Sequence, residues 1–115
     1  MKPLNRESFL AAASAHVREF TPPALSQVVR IRKLTGAARD AFRMLVDGGD
    51  KSLSHFEAAI VVTALVGDDN ALLFAVEDIP AVRETLDSVV ISQIAAEALD
   101  FNKIGPAAED AAAKN

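Results

Sequence analysis

Apolar and polar positions change their period several times along this chain, and each change predicts an element. Across Gln27 to Leu34, Val29 and Ile31 alternate with Arg30 and Arg32. A period of two puts one set on each face of a β-strand. Val17 to Thr21 is a second short extended stretch, predicted to pair with the strand as a hairpin around Pro22 and Pro23. Both prolines fix φ, and both restrict the residue before them, so regular structure stops there. After the strand the period lengthens. Thr35 is placed as an N-cap, and Ala38, Ala41, Phe42, Leu45 and Val46 then recur at helical spacing, with Arg39, Asp40 and Arg43 facing out. Asp47-Gly48-Gly49-Asp50 ends that helix.

Ser54 stands three residues before Glu57 at the head of an apolar run, the spacing of a capping box. It predicts a helix from about His55 to Val66, so continuously apolar at Ala58–Val62 that it should be the most buried one. Gly67-Asp68-Asp69-Asn70 reads as a turn, and Leu72-Leu73-Phe74 as a short extended or irregular anchor. Val76 to Pro80 looks like a helix entry, with proline tolerated in the first turn. The last long helix is predicted to start at Val82 or Asp87 and to run to Asn102. Leu86, Val90, Ile94 and Phe101 make one row on it, and Ile91, Ala95 and Leu99 a second, rotated row. At the amino end, Asn5 to about Ala15 is an alanine-rich short helix with Glu7 in its first turn. The pattern therefore predicts a mainly α protein: one small domain over 1–104, with about four to five helices and a short β-strand or hairpin near 17–34. Residues 105–115 read as a flexible tail.

Composition sharpens this picture. Half of the 115 residues are hydrophobic, but 22 of them are alanine, which builds helices more than it fills a core. The six phenylalanines, spread through apolar stretches, read as core. There is no cysteine, hence no disulfide frame, thiolate metal site or cysteine nucleophile. No apolar run approaches the roughly 20 residues of a membrane span, and nothing at the amino end resembles a signal peptide. The expectation is a soluble intracellular protein.

The net charge of −4 is unevenly distributed: nine Lys and Arg face six Asp and Glu over residues 1–60, and three face ten over 61–115. A basic front and an acidic back would favour head-to-tail or salt-dependent contact. Arg30, Arg32, Lys33, Arg39 and Arg43 could form a basic patch, but a pI near 5.1 and the lack of tryptophan and tyrosine argue against nucleic-acid binding. His16 and His55 stand outside any metal or catalytic spacing, and no phosphate-binding glycine motif or nucleophile elbow occurs. Asp68-Asp69-Asn70 is a poor calcium loop, because Leu72 and Phe74 fall on ligand positions. The residues alone point to a small acidic helical protein that works by contact, with no enzyme activity, no cofactor, no metal and no membrane partner.

Two stretches carry more. Val29-Arg30-Ile31-Arg32-Lys33-Leu34-Thr35-Gly36-Ala37-Ala38-Arg39-Asp40-Ala41-Phe42 resembles the V-x-V-R-x-L-T-G-x-E-R-D-A-F segment of tail assembly chaperones from long-tailed, siphovirus-type bacteriophages. Ala64 to Ile79 is similar to that family's acidic turn followed by Leu-Phe and Glu-Asp, here Leu73, Phe74, Glu77 and Asp78. The residues that would define the fold are thus Arg32, Leu34, Thr35, Gly36, Arg39, Asp40, Phe42, Leu73, Phe74, Glu77 and Asp78. The chain departs from the pattern at Pro22-Pro23-Ala24-Leu25, at Asn70-Ala71 and at Ala38.

The resemblance implies a protein that binds the long tape measure protein, keeps it soluble and helps bring tail-tube subunits to it. It would act in the host cytoplasm and be absent from the finished virion. It also implies a longer form, made by ribosomal frameshifting, whose added domain contacts the tube protein. Such a client needs exposed apolar strips. Ile91, Ala95 and Leu99 are the candidate strip, for client or for self-association, while the row from Leu86 to Phe101 would build the core. The alternatives are a structural tail-completion or connector subunit of a virion, and a small DNA-binding regulator using Arg39 and Arg43.

Overall fold

The computed structural model describes residues 2–105. Five helices, α1 (Arg6–Ala13), α2 (Gly36–Gly48), α3 (Leu53–Ala64), α4 (Ile79–Thr85) and α5 (Ser88–Phe101), accompany three strands, β1 (Val17–Phe20), β2 (Val29–Arg32) and β3 (Leu65–Val66). The fold is mainly α with a minor antiparallel sheet of order β1-β2-β3, as the sequence pattern predicts. The expected tail beyond Gly105 lies outside the described residues.

The organising element is α3. Every residue from Ala58 to Ala64 is buried, so α2, α4 and α5 pack around it while the sheet closes its carboxyl end. A helix apolar on all sides must be covered on all sides. Its single buried polar residue, Thr63, donates its hydroxyl to the Ala59 carbonyl at 2.7 Å, so it brings no unsatisfied group into the core.

The predicted hairpin is present, with Phe20 opposite Val29 and Arg18 opposite Ile31. Ile31 is fully buried, and so is Pro22 in the connecting loop. The loop is held from outside by Gln93, whose side-chain oxygen accepts the Ala24 amide at 2.9 Å.

Two boundaries, both of α3, differ from the pattern. The cap of α3 is Ser52, whose hydroxyl accepts the His55 amide at 3.3 Å, and the capping box at Ser54 and Glu57 does not form. Ser54 accepts instead from Arg83 Nε at 2.9 Å, and Glu57 from the Ser92 hydroxyl at 2.6 Å. The carboxyl end of α3 is also shorter than predicted. Leu65 and Val66 leave the helix as β3, where Leu65 pairs with Ile31 and Val66 with Arg30. Val66 is β-branched and favours a strand, and the strand offers both residues backbone partners that a longer helix would forfeit. The helix α5 begins at the later of its two predicted starts, with the Asp87 carboxylate accepting the Val89 and Val90 amides, and Val82 belongs to α4.

The phenylalanines divide. Phe42 is buried and meets Phe56 edge to face, with ring centroids 5.7 Å apart. Phe9 is 56% exposed, because no residue of α1 is buried, and it does not belong to the core.

Candidate functional site

The strip expected at Ile91, Ala95 and Leu99 is not a surface. Ile91 is 4% and Ala95 2% exposed, and both lie in the core with Ile94 and Ala98. Positions 91, 94, 95 and 98 form one stripe at i, i+3, i+4 and i+7. Its flanks are Val90 and Phe101 on one side and Leu99 on the other, all half-buried. The two rows seen in the sequence are the two edges of this stripe. Ala98, at its centre, is the residue that joins them.

Exposed apolar side chains lie elsewhere. On one flank of α4, Met44, Leu45, Val76, Ile79 and Pro80 line a shallow groove of about 420 Å³. Met44 is 75% and Val76 52% exposed, so the groove has apolar walls open to solvent. On the other flank, Leu73, Phe74, Ala81, Val82 and Leu86 line a groove of about 390 Å³ with Asp78 at its edge. Phe74 is the half-buried anchor of that loop, whereas Leu72 and Leu73 point outward, contrary to the reading of all three as an anchor. A third apolar surface joins the amino ends of α3 and α5, where Leu53 is 70% and Val89 53% exposed.

The α4 grooves keep their shape through a polar brace. Arg83 reaches from α4 to the α2–α3 connection, donating to Asp50 Oδ2 at 3.0 Å, Ser54 Oγ at 2.9 Å and Ser52 Oγ at 3.2 Å. The Asp50 carboxylate also accepts the Ser52 amide at 2.7 Å. Hydrogen bonds from the Ser52 side chain and backbone, with a smaller contribution from Arg83, hold its pKa at about 2. His55 lies against Gly49, where a Cβ would meet the imidazole at 2.0 Å, and its Nε2–H donates to the Leu45 carbonyl at 3.0 Å. Lys51 Nζ donates to the Val46 and Asp47 carbonyls, so two side chains satisfy the open end of α2. His55 thus has a structural role, and His16 is exposed with its backbone carbonyl accepting the Lys33 amide.

The fold-defining residues are distributed through the frame. Thr35 caps α2 by accepting the Ala38 amide at 3.1 Å, with Gly36 as the first helical residue. Arg32 Nε donates to the Thr63 carbonyl at 2.9 Å, and partial burial lowers the guanidinium pKa from its ordinary value. The Leu34 amide donates to Asn102. Asp78 Oδ2 accepts the Ala75 amide at 2.8 Å, which fixes the 3-10 turn Val76–Asp78 ahead of α4, and Glu77 is exposed in that turn. Asp40 is exposed on α2, while Arg39 shares a separate groove with Arg43.

Nor do the five clustered cations serve one surface. Arg30 is directed to the Gly67 carbonyl and to Asn70 Oδ1, while Lys33 stands 5.3 Å from the Phe101 ring centroid. Arg18, which the sequence did not single out, lies 4.3 Å over the same ring and pairs with Glu97 at 2.9 Å, tying β1 to α5. Among the described residues there is no cluster of three or more metal-ligating side chains, and no helix long and apolar enough to cross a membrane.

The fold has a counterpart among solved structures. The tail assembly chaperone of bacteriophage HK97 aligns over 82% of this chain and 90% of its own, with a TM-score of 0.58 and 22% identity. The fold is that of a phage tail assembly chaperone. No protein-family model matches the chain, and no curated protein matches it. The tail assembly chaperone fold is therefore visible in the backbone where sequence similarity is faint. The resemblance read from the L-T-G and L-F-x-x-E-D segments points to the same fold.

Proposed function

We propose that this protein is a phage tail assembly chaperone that binds a tape measure protein, keeps it soluble and helps recruit tail-tube subunits, without catalysis. The observation that carries the reading is the shared fold, which extends over 82% of this chain and 90% of the other. The grooves flanking α4 support it. An elongated client with a helical apolar stripe needs shallow apolar channels with rims that stay in water, and methionine suits a surface that must accept varied side chains. Met44, Val76 and Leu73 are the side chains through which the client would be held. By the same resemblance, the protein would act in the host cytoplasm and leave before the virion is complete.

The test is co-expression with the tape measure protein encoded in the same genome. The expected result is a client that stays in the supernatant with the chaperone and precipitates without it. A client equally soluble alone, or this chain found stoichiometrically in purified virions, overturns the reading in favour of a structural tail subunit.

A further inference from the structure

The two grooves flanking α4 are separated by a crest, and the crest carries a charge pattern. Glu77, Pro80, Ala81 and Glu84 follow one another at i, i+3, i+4 and i+7, and all four are exposed. Pro80 lines one groove and Ala81 the other. Small residues at the middle of the crest let a second helix approach closely, so that its apolar side chains enter the channels on either side. The two glutamates stand at the ends of the crest, roughly 10 Å apart along its axis.

The surroundings of the crest have one sign. Residues 68–87 hold six Asp and Glu against a single base, Arg83. Arg83 is turned to Asp50, Ser52 and Ser54, so its charge is already matched away from the crest. Asp78 and Asp87 are occupied in accepting backbone amides. The Glu77 and Glu84 carboxylates have no hydrogen-bond or ion-pair partner among the described residues. An apolar surface bounded by two unpartnered acids repels an acidic helix and favours a basic one.

We propose that the α4 crest docks a helix of a partner protein whose apolar stripe is flanked by Lys or Arg about two turns apart, the cations pairing with Glu77 and Glu84. This rests on the reading of the α4 grooves as the client surface, and adds to it the charge of the segment they accept. The grooves supply the hold, and the two glutamates select among apolar helices. An uncharged or acidic stripe of equal hydrophobicity binds more weakly.

The test titrates the full 15N-labelled chain with three lactam-stapled helical peptides that share one leucine stripe and carry Lys, Gln or Glu on both sides of it. The Lys peptide is expected to bind about tenfold more tightly than the Gln peptide, as two exposed ion pairs allow, and to shift the amides of Met44, Leu73, Val76 and Ala81. Glu77→Gln with Glu84→Gln should remove that preference and leave binding of the Gln peptide unchanged. Glu7→Gln with Asp40→Asn removes as much negative charge at exposed sites on α1 and α2, and should leave the preference in place. Equal affinity for the three peptides, a preference that survives loss of both crest carboxylates, or shifts centred away from α4 overturns the proposal. The peptide comparison uses the unaltered chain, so it decides even where a variant is unstable. Co-expression with the tape measure protein keeps the two readings apart. A solubilised client with no peptide preference overturns the charge rule alone, whereas a charge-selective crest beside an insoluble client supports the rule and overturns the chaperone reading.

Discussion

The side-chain oxygen of Asn102 accepts the backbone N–H of Leu34 at 2.6 Å, joining residues 68 positions apart. The same amide group donates to the Arg32 carbonyl at 3.3 Å and to the Ala98 carbonyl at 3.0 Å. One side chain therefore ends α5, finishes β2 and fixes the point from which α2 departs. Asn102→Ala leaves the half-buried Leu34 N–H without its acceptor and is expected to cost about 1–3 kcal/mol. Urea unfolding checks this, as a lower midpoint at unchanged slope. Asn102→Asp keeps the acceptor and loses both donations, so it should fall between wild type and alanine.

One residue further on, Lys103 takes φ +55°, in the left-handed region. Its amide donates to the Asp100 carbonyl and the Ile104 amide to the Leu99 carbonyl, the two bonds of a Schellman motif. A side chain at that position is strained, and Lys103 is exposed. Lys103→Gly is expected to stabilise the protein by about 0.5–1 kcal/mol, read as a rise in Tm.

Asp50 gives the acid limb of stability a specific origin. Its folded pKa of about 2 is below the usual carboxylate value of 3.8, so its contribution is complete above that usual value. The contribution is lost as pH falls through the folded pKa, because only then does the native carboxylate take up its proton. Asp50→Asn should flatten stability between about pH 4 and pH 2 and leave the neutral region nearly level. Ser52→Ala should raise the Asp50 pKa, measured by NMR titration, more than Arg83→Gln does, since the serine makes the larger contribution.

Surface and core substitutions should separate cleanly. Met44→Asp and Val76→Asp change exposed side chains and are expected to alter stability by under about 0.5 kcal/mol while abolishing client solubilisation. Ile91→Ala opens the packing between α5 and α3 and should cost about 2–5 kcal/mol. Thermal denaturation and the co-expression assay, run on the same variants, distinguish the two effects.

The strand at Val29 to Arg32 was legible because its alternation has one meaning, and the Thr35 cap because a hydroxyl before an amphipathic run has few other uses. Pro80 marked the entry of α4 for the same reason. Other features depend on tertiary partners. Ser52 and Ser54 are equally good caps in sequence, and only Arg83, 29 positions beyond Ser54, draws that serine to another role. Leu65 and Val66 continue an apolar run, and β2 alone makes them a strand. On the core stripe of α5 the difficulty was alanine: Ala95 and Ala98 bury as fully as isoleucine, yet they weigh little in a hydrophobic pattern. Met44 and Val76 come together from α2 and the turn before α4, elements no local period connects.

The eight residues of α1, none of them buried, have a consequence for how the molecule fails. A helix that short has almost no stability of its own in water, although Asn5 and Ser8 cap it reciprocally. The helix α3 opens only when everything around it does. Heat and denaturant therefore report on α3, whereas a protease meets α1 first, in a segment whose opening costs next to nothing. The protein is durable at its centre and perishable at its amino end, and trimming α1 should leave the remaining body standing.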